Sequence, residues 1–345
     1  MAERQWTTSD FDYPLPNELI AQVPSGERGA SRLLMVPRSD AAFADRHFAD
    51  LPALLSSGDL LVLNATKVRH ARLLGTRPGG GPAEILLIHP AADDCWIAMG
   101  KPGRALQPGK RIRLGTDVAV ETVAILDDGM RQVRFIGATA AQAIERFGRL
   151  PLPPYITRDP TADDELRYQT VYADREGSVA APTAGLHFTD AMLAELHTRG
   201  VAIAELDLEV GPGTFRPVEG EAITQHVMHA ERYDIPMTLA DAIVACRQRG
   251  GQVWAVGTTV VRALESAARD DGTVTPGVAE TRLLITPGYS FRVVNRLITN
   301  FHLPRSTLLM LVAAFAGYER TMAAYRHAAQ ERYRFYSYGD AMCIL

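Results

Sequence analysis

Cysteine is scarce in this chain. The three present among 345 residues, Cys95, Cys246 and Cys343, lie far apart. They form neither a zinc spacing nor a disulfide framework, which fits a reducing cytoplasm. Long apolar runs are missing too. The longest, Leu308 to Ala316, is too short to span a bilayer, and Met1 to Trp6 lacks the apolar stretch of a signal peptide. Cys343-Ile344-Leu345 falls one residue short of a prenylation box. No membrane association is expected. Charge of one sign is not in excess: 36 basic against 40 acidic residues give a net −4. The chain as a whole is therefore no basic nucleic-acid binder, although a local patch remains open. There is no internal repeat, low-complexity segment or dinucleotide loop. The 47% hydrophobic content supports a sizeable core, and the length suggests two domains.

Arg32 to Val36 reads as a strand, Phe48 to Leu55 as a helix, and Leu60 to Leu63 as a fully buried strand. From Val68 to Phe135 short strand-like runs follow one another, broken by Gly79-Gly80-Gly81-Pro82, Lys101-Pro102-Gly103, Gln107-Pro108-Gly109 and Asp127-Asp128-Gly129. Such spacing without helices indicates a small antiparallel barrel or sandwich. Beyond Ala140 helices and strands alternate, with strands expected at 201–210, 252–256, 282–285 and 291–299. Ser306 caps an apolar helix, 307–316, that must sit in the core. The expected fold is α/β: a sheet with covering helices, plus an inserted small antiparallel β domain, barrel or sandwich. Residues 1–67 and 149–345 would form the α/β domain and 68–148 the insertion.

Chemistry concentrates in a few stretches. Val179 to Thr189 reads V-A-A-P-T-A-G-L-H-F-T. It places the Thr183 hydroxyl, Gly185, the His187 imidazole and a helix N-terminus capped by Thr189 close together. A tight buried turn explains the same residues without function. Trp254 to Arg262 is strand, turn, helix: Gly257 permits close approach and Thr258 or Thr259 can cap, so an anionic group would be welcome there. Glu209-Val210-Gly211-Pro212-Gly213 is a tight turn or a ligand-hugging loop. Gln225 to Glu231 holds His226, His229 and Glu231. The residues through Ile235 favour a strand, which puts His229 and Glu231 on one face and argues against a metal site. Asn300 and His302 stand just before the core helix and need partners.

Lys67 to Gly115 carries nine basic residues against three acidic ones. A solvated surface is the ordinary reading, and a phosphate-tracking patch the sharper one. Tyr333 to Asp340 mixes aromatics with Arg, suited to stacking bases or to finishing a sheet.

Together these stretches resemble the S-adenosylmethionine:tRNA ribosyltransferase-isomerase family of queuosine biosynthesis. The resemblance runs from Phe11-Asp12-Tyr13-Pro14 to Tyr338-Gly339-Asp340-Ala341-Met342. It is carried by A-A-P-T-A-G-L-H-F-T (180–189), G-P-G-T-F-R-P-V (211–218), H-V-M-H-A-E (226–231), A-V-G-T-T-V-V-R-A-L-E-S (255–266) and T-N-F-H-L-P-R-S-T-L-L-M (299–310). It implies transfer and isomerisation of the ribosyl group of S-adenosylmethionine onto an aminomethyl-deazaguanine at the tRNA wobble position, with adenine and methionine leaving. It implies an α/β fold, a mixed sheet with covering helices plus an inserted small antiparallel β-barrel, and a monomer without a metal or a tightly bound cofactor, S-adenosylmethionine being a substrate. On this resemblance His187, His229 and Glu231 are the acid/base candidates. Thr183, Gly185, Glu209, Gly211, Gly213, Gly257, Thr258, Thr259, Arg262, Asn300 and His302 would surround the donor. Lys67, Arg69, Arg72, Lys101, Arg104 and Tyr338 would meet tRNA. The chain departs from the family at Glu209, where His is usual, at Ala65, and at Arg69-His70, where Ile-Pro is usual. The competing readings are an S-adenosylmethionine-dependent tRNA methyltransferase and a non-catalytic tRNA-binding module.

Overall fold

The computed structural model describes residues 4–211, 220–223, 226 and 228–345. Its centre is a mixed nine-stranded sheet. Across the sheet the strands are Gly277–Thr281, Glu231–Ile235, Ala202–Leu208, Leu60–Asn64, Val253–Val256, Arg296–Asn300, Ala341–Ile344, Arg32–Val36 and Ala44–His47. Four central strands, from Ala202–Leu208 to Arg296–Asn300, run parallel. Both faces are covered, which is why Leu60 to Leu63 reads as an unbroken apolar run. Leu60 and Val62 join the core beneath the Met237–Gln248, Thr258–Ser266 and Thr307–Ala316 helices. Leu61 and Leu63 point the other way, towards Phe48, Leu51 and Leu196. Trp254 and Val256 share that second core, whereas Val253 and Ala255 share the first.

The inserted barrel is as expected. Arg72–Thr76, Pro82–Pro90, Cys95–Lys101, Arg131–Ile136, Ala119–Ile125 and Arg111–Arg113 pair antiparallel in that order. The Thr76–Arg113 pairing closes the ring. Leu73, Ile85, Leu87, Ile112, Val120 and Val133 fill it.

Three details differ from the sequence reading. The strand expected at 282–285 lies earlier, at Gly277–Thr281. The strand expected at 291–299 begins only at Arg296. The backbone N–H groups of Arg292, Val293 and Val294 donate instead to the Glu265 carboxylate, at 2.9–3.0 Å. The Ala341–Ile344 strand, wholly buried between two neighbours, was not expected at all.

Candidate active site

The Val179 to Thr189 stretch folds as a 3₁₀ turn, Thr183–His187, followed by the Asp190–Thr198 helix. Thr189 caps that helix, its hydroxyl accepting from Met192 N at 3.2 Å. Gly185 is needed for space. A Cβ there would stand 2.1 Å from the Tyr172 hydroxyl and 2.8 Å from Thr170 Cγ2.

The turn forms one wall of a cavity at the carboxyl ends of the parallel Val253–Val256 and Arg296–Asn300 strands, the usual ligand position in α/β sheets. Thr183 lines it from the turn. Gly257, Thr258 and Thr259 line it from the strand–helix junction, and Thr299, Asn300 and His302 from the other strand end. Tyr155, Phe301 and Tyr336 supply aromatic walls. Gly257 adopts φ +93°, ψ 152°, a region open essentially to glycine. Its N–H donates to Ile298 O at 2.8 Å, tying the two strand ends together. Gly257 itself is the N-cap, so Thr258 and Thr259 are not caps. They occupy the first helical turn, whose N–H groups have no partners within the helix.

His187 sits behind this wall. It is 5% exposed, stacked on Phe48 at 4.8 Å, and bonded at both ring nitrogens. Nδ1 lies 2.6 Å from Ser31 Oγ, and Nε2 3.2 Å from Asn300 Oδ1. The Asn300 amide nitrogen donates to Tyr336 O at 2.8 Å, which identifies Oδ1 as the acceptor. His187 Nε2 therefore donates to Asn300, and Nδ1 accepts from Ser31. Burial lowers the His187 pKa to about 4, so the ring is neutral near pH 7. It orients the Asn300 carboxamide, which lines the cavity, and does not line it itself.

His302 does line it. Its Nε2 is 2.9 Å from Thr299 Oγ1, and burial lowers its pKa to about 3. Its backbone is held from both sides: Tyr13 OH donates to its carbonyl at 2.5 Å and its N–H donates to Tyr325 OH at 3.0 Å. Tyr155 OH lies 2.5 Å from Ser337 Oγ, and burial pushes that phenol up to about 12. Tyr336 has φ +70°, a left-handed conformation rare for an aromatic residue.

Other candidates lie elsewhere. Glu231 and Arg262 are both 5% exposed and form an ion pair, with Arg262 Nε donating to Leu283 O at 3.1 Å. Gly211 N donates to Glu231 at 3.4 Å. Glu209 pairs with Arg232 at 3.4 Å and its Cγ packs beside Gly177. Neither Glu209, Gly211, Glu231, Arg262 nor Gly185 lines the cavity. His229, half-buried, precedes the Glu231–Ile235 strand. Gly213 falls outside the described residues. No group of three metal-ligating side chains occurs among the described residues.

Of the basic residues, Lys101 and Arg104 are exposed on the barrel. Lys67 is 4.0 Å from Glu176, Arg69 lies over the Trp96 ring at 5.0 Å, and Arg72 pairs with Glu84 at 2.9 Å. Tyr338 corrects an expectation. It is 5% exposed, packs edge-on to Tyr168, and donates to Asp164 at 2.7 Å, so its ring is not available to an RNA. Sequence reasoning missed Ser31, Tyr155, Thr299 and Tyr336. Of these, Thr299 lies in the T-N-F-H motif and Tyr336 in the aromatic 333–340 stretch, but neither is singled out there; Ser31 and Tyr155 belong to no motif.

Comparison with known proteins bears on the family. The model of the family described as "Queuosine biosynthesis protein" matches residues 8–344. The S-adenosylmethionine:tRNA ribosyltransferase-isomerase of Cupriavidus pinatubonensis is 53% identical over 98% of this chain and 99% of its own length. That of Thiobacillus denitrificans is 53% identical over 97% and 96%. The crystal structure of an S-adenosylmethionine tRNA ribosyltransferase from Thermotoga maritima is 37% identical, with a TM-score of 0.57, and the match covers 98% of this chain and 100% of that one. The aligned lengths leave no large segment of this chain outside the relationship, and the chain belongs to the queuosine biosynthesis protein family.

Proposed function

We propose that the cavity takes S-adenosylmethionine and that the enzyme transfers and isomerises its ribosyl group onto the aminomethyl-deazaguanine at the tRNA wobble position, releasing adenine and methionine. The observation that carries this reading is the composition of the cavity wall. It combines a helix N-terminus, threonine hydroxyls, an oriented carboxamide and a neutral imidazole, and no carboxylate among the described residues.

Each part has a use. The unpaired N–H groups before Val261 favour the carboxylate of the methionyl moiety. Among the described residues no carboxylate faces the sulfonium to neutralise its charge, so the carbon attached to it stays acidic. Tyr155, Phe301 and Tyr336 offer aromatic faces to the adenine. His302, neutral near pH 7, lines the cavity and is the group available to take up the proton lost beside the sulfonium. The incoming amine attacks as the free base, and the described residues of the wall hold no carboxylate that would keep it as an ammonium. Asn300, fixed by His187 and Tyr336, holds the ribose or base in register. Glu231, which accepts from Gly211 N, and His229 two residues before it are assigned to the RNA side of the reaction.

Residues 68–148 act in this reading as an RNA-facing domain inserted in the catalytic one (1–67 and 149–345). Lys67, Arg69, Lys101 and Arg104 contact phosphates there. The monomeric state implied by the resemblance and the cytoplasmic location expected from the cysteine usage belong to the same proposal. No helix of the described residues is long and apolar enough to cross a membrane.

The test is incubation with S-adenosylmethionine and an RNA stem-loop bearing the aminomethyl-deazaguanine, followed by nucleoside mass spectrometry. Release of adenine and methionine with an epoxycyclopentanediol product is expected. Formation of S-adenosylhomocysteine, or RNA binding without turnover, overturns the proposal.

A further inference from the structure

A second cavity lies on the other side of the first one's wall, between the outer face of the barrel and the Pro151–Pro154 linker. It encloses about 390 Å³, within the roughly 300–1,000 Å³ of small-ligand sites. The partition is thin and made of two stretches of chain. Pro154 and Ile156 face the second cavity while Tyr155 faces the first, and Val179 faces the second while Ala180 faces the first.

The chemistry of the second cavity is that of a site for a flat, polar-edged group. Leu86 and Met99 on the barrel oppose Pro153, Ile156 and Val179, giving two apolar sides. Across one end runs the half-buried Arg72–Glu84 pair, which presents N–H donors and carboxylate acceptors together. Lys101 stands exposed at the rim, without an ion-pair partner among the described residues. The other cation, Arg158, is committed to Asp164 by bonds of 2.6 and 2.7 Å.

We propose that this cavity receives the nucleobase next to the modified one, so that two consecutive bases of the RNA enter two adjacent pockets. This rests on the proposed function above. Unpaired loops are recognised by splaying bases apart, packing their faces and bonding their edges, and the two cavities share only a single-layer wall across which a backbone can pass. The apolar sides hold the base faces, the Arg72–Glu84 pair reads the edge, and Lys101 meets the intervening phosphate.

The experiment uses the full-length enzyme, S-adenosylmethionine and three stem-loops bearing the modified base. One is intact, one abasic on the 5′ side of that base, and one abasic on the 3′ side. Adenine release gives kcat/KM for each RNA. One abasic RNA is expected to lose about tenfold, as for loss of a packed base, and the other less than about twofold. Leu86→Trp, which fills the cavity, is expected to impose about the same loss on the intact RNA and no further loss on the sensitive abasic one. Glu84→Gln, which keeps the fold where the larger substitution does not, is expected to change the ranking of the four bases at that position. Equal rates on all three RNAs, fully additive losses in Leu86→Trp, or an unchanged ranking in Glu84→Gln overturn the inference alone. No adenine release from the intact stem-loop defeats the proposed function and this inference together.

Discussion

Replacing His187 by Gln tests whether this ring is a neutral positioning group. His187 is 5% exposed, and burial lowers its pKa from 6.5 to about 4, partly offset by the bond to Asn300. As pH falls the unfolded chain therefore takes up the proton first. The stability contributed by the neutral buried ring is complete above pH 6.5 and is lost progressively down to about pH 4. Each pH unit in that window is worth about 1.4 kcal/mol, so acidification from pH 6.5 to 4.5 removes about 2–3 kcal/mol through His187. His302, lowered to about 3, loses a similar amount, but does so in both proteins. Carboxylate titration is also common to both and cancels in the difference. Thermal unfolding of wild type and His187→Gln across this range should show the variant starting lower at pH 7 but falling less. The difference between the two declines is about 5 °C at roughly 2 °C per kcal/mol for a chain of this size. Identical declines would mean that His187 titrates alike in the folded and unfolded chain, and the reading of a ring held neutral by burial would fail with it.

Three further outcomes follow from contacts described above. Gly185→Ala drives a Cβ to 2.1 Å from the Tyr172 hydroxyl, which is buried and has no hydrogen-bond partner among the described residues. Tyr172→Phe should therefore be mild alone and should rescue much of the Gly185→Ala loss, with about 1–2 kcal/mol of coupling in denaturant unfolding. Asp164, fully buried, accepts from Arg158, Tyr338 and Thr161, and these bonds hold its carboxyl well below the usual carboxylate range despite burial. Asp164→Asn should cost about 3–5 kcal/mol near neutral pH, and the penalty should shrink as pH falls below the unfolded value of 3.8, where the wild-type pair also weakens. Gly257→Ala forces a side chain into φ +93°, so about 1–3 kcal/mol of stability and most S-adenosylmethionine binding by calorimetry should be lost.

The fold was legible where a local signal had one meaning. Leu60 to Leu63 reads as a strand covered on both faces, and turns at short intervals from Gly79 to Gly129 left a small barrel or sandwich. Legibility stopped where the deciding contact is distant. Arg292 to Val294 have strand-like residues, but their N–H groups are taken by Glu265, 27 to 29 positions earlier. Ala341 to Ile344 carries too few residues to show a period, and it becomes a strand because two neighbours leave a slot for it.

The site shows the same division at higher stakes. Thr183, Gly257, Thr258, Thr259, Asn300 and His302 were marked by motifs and do meet at one cavity. The role of His187 was not marked, because it depends on Ser31, 156 positions away, and Asn300, 113 positions away. A sequence offers an imidazole as a base by default, since nothing local says whether both nitrogens are occupied. Here both are, and a ring that accepts from a serine and donates to a carboxamide has no lone pair left to take a substrate proton. The acid/base burden then passes to His302, bonded through Nε2 to Thr299 and lining the cavity. The two histidines differ less in pKa direction than in free valence, and that is what separates a group that positions from one that reacts.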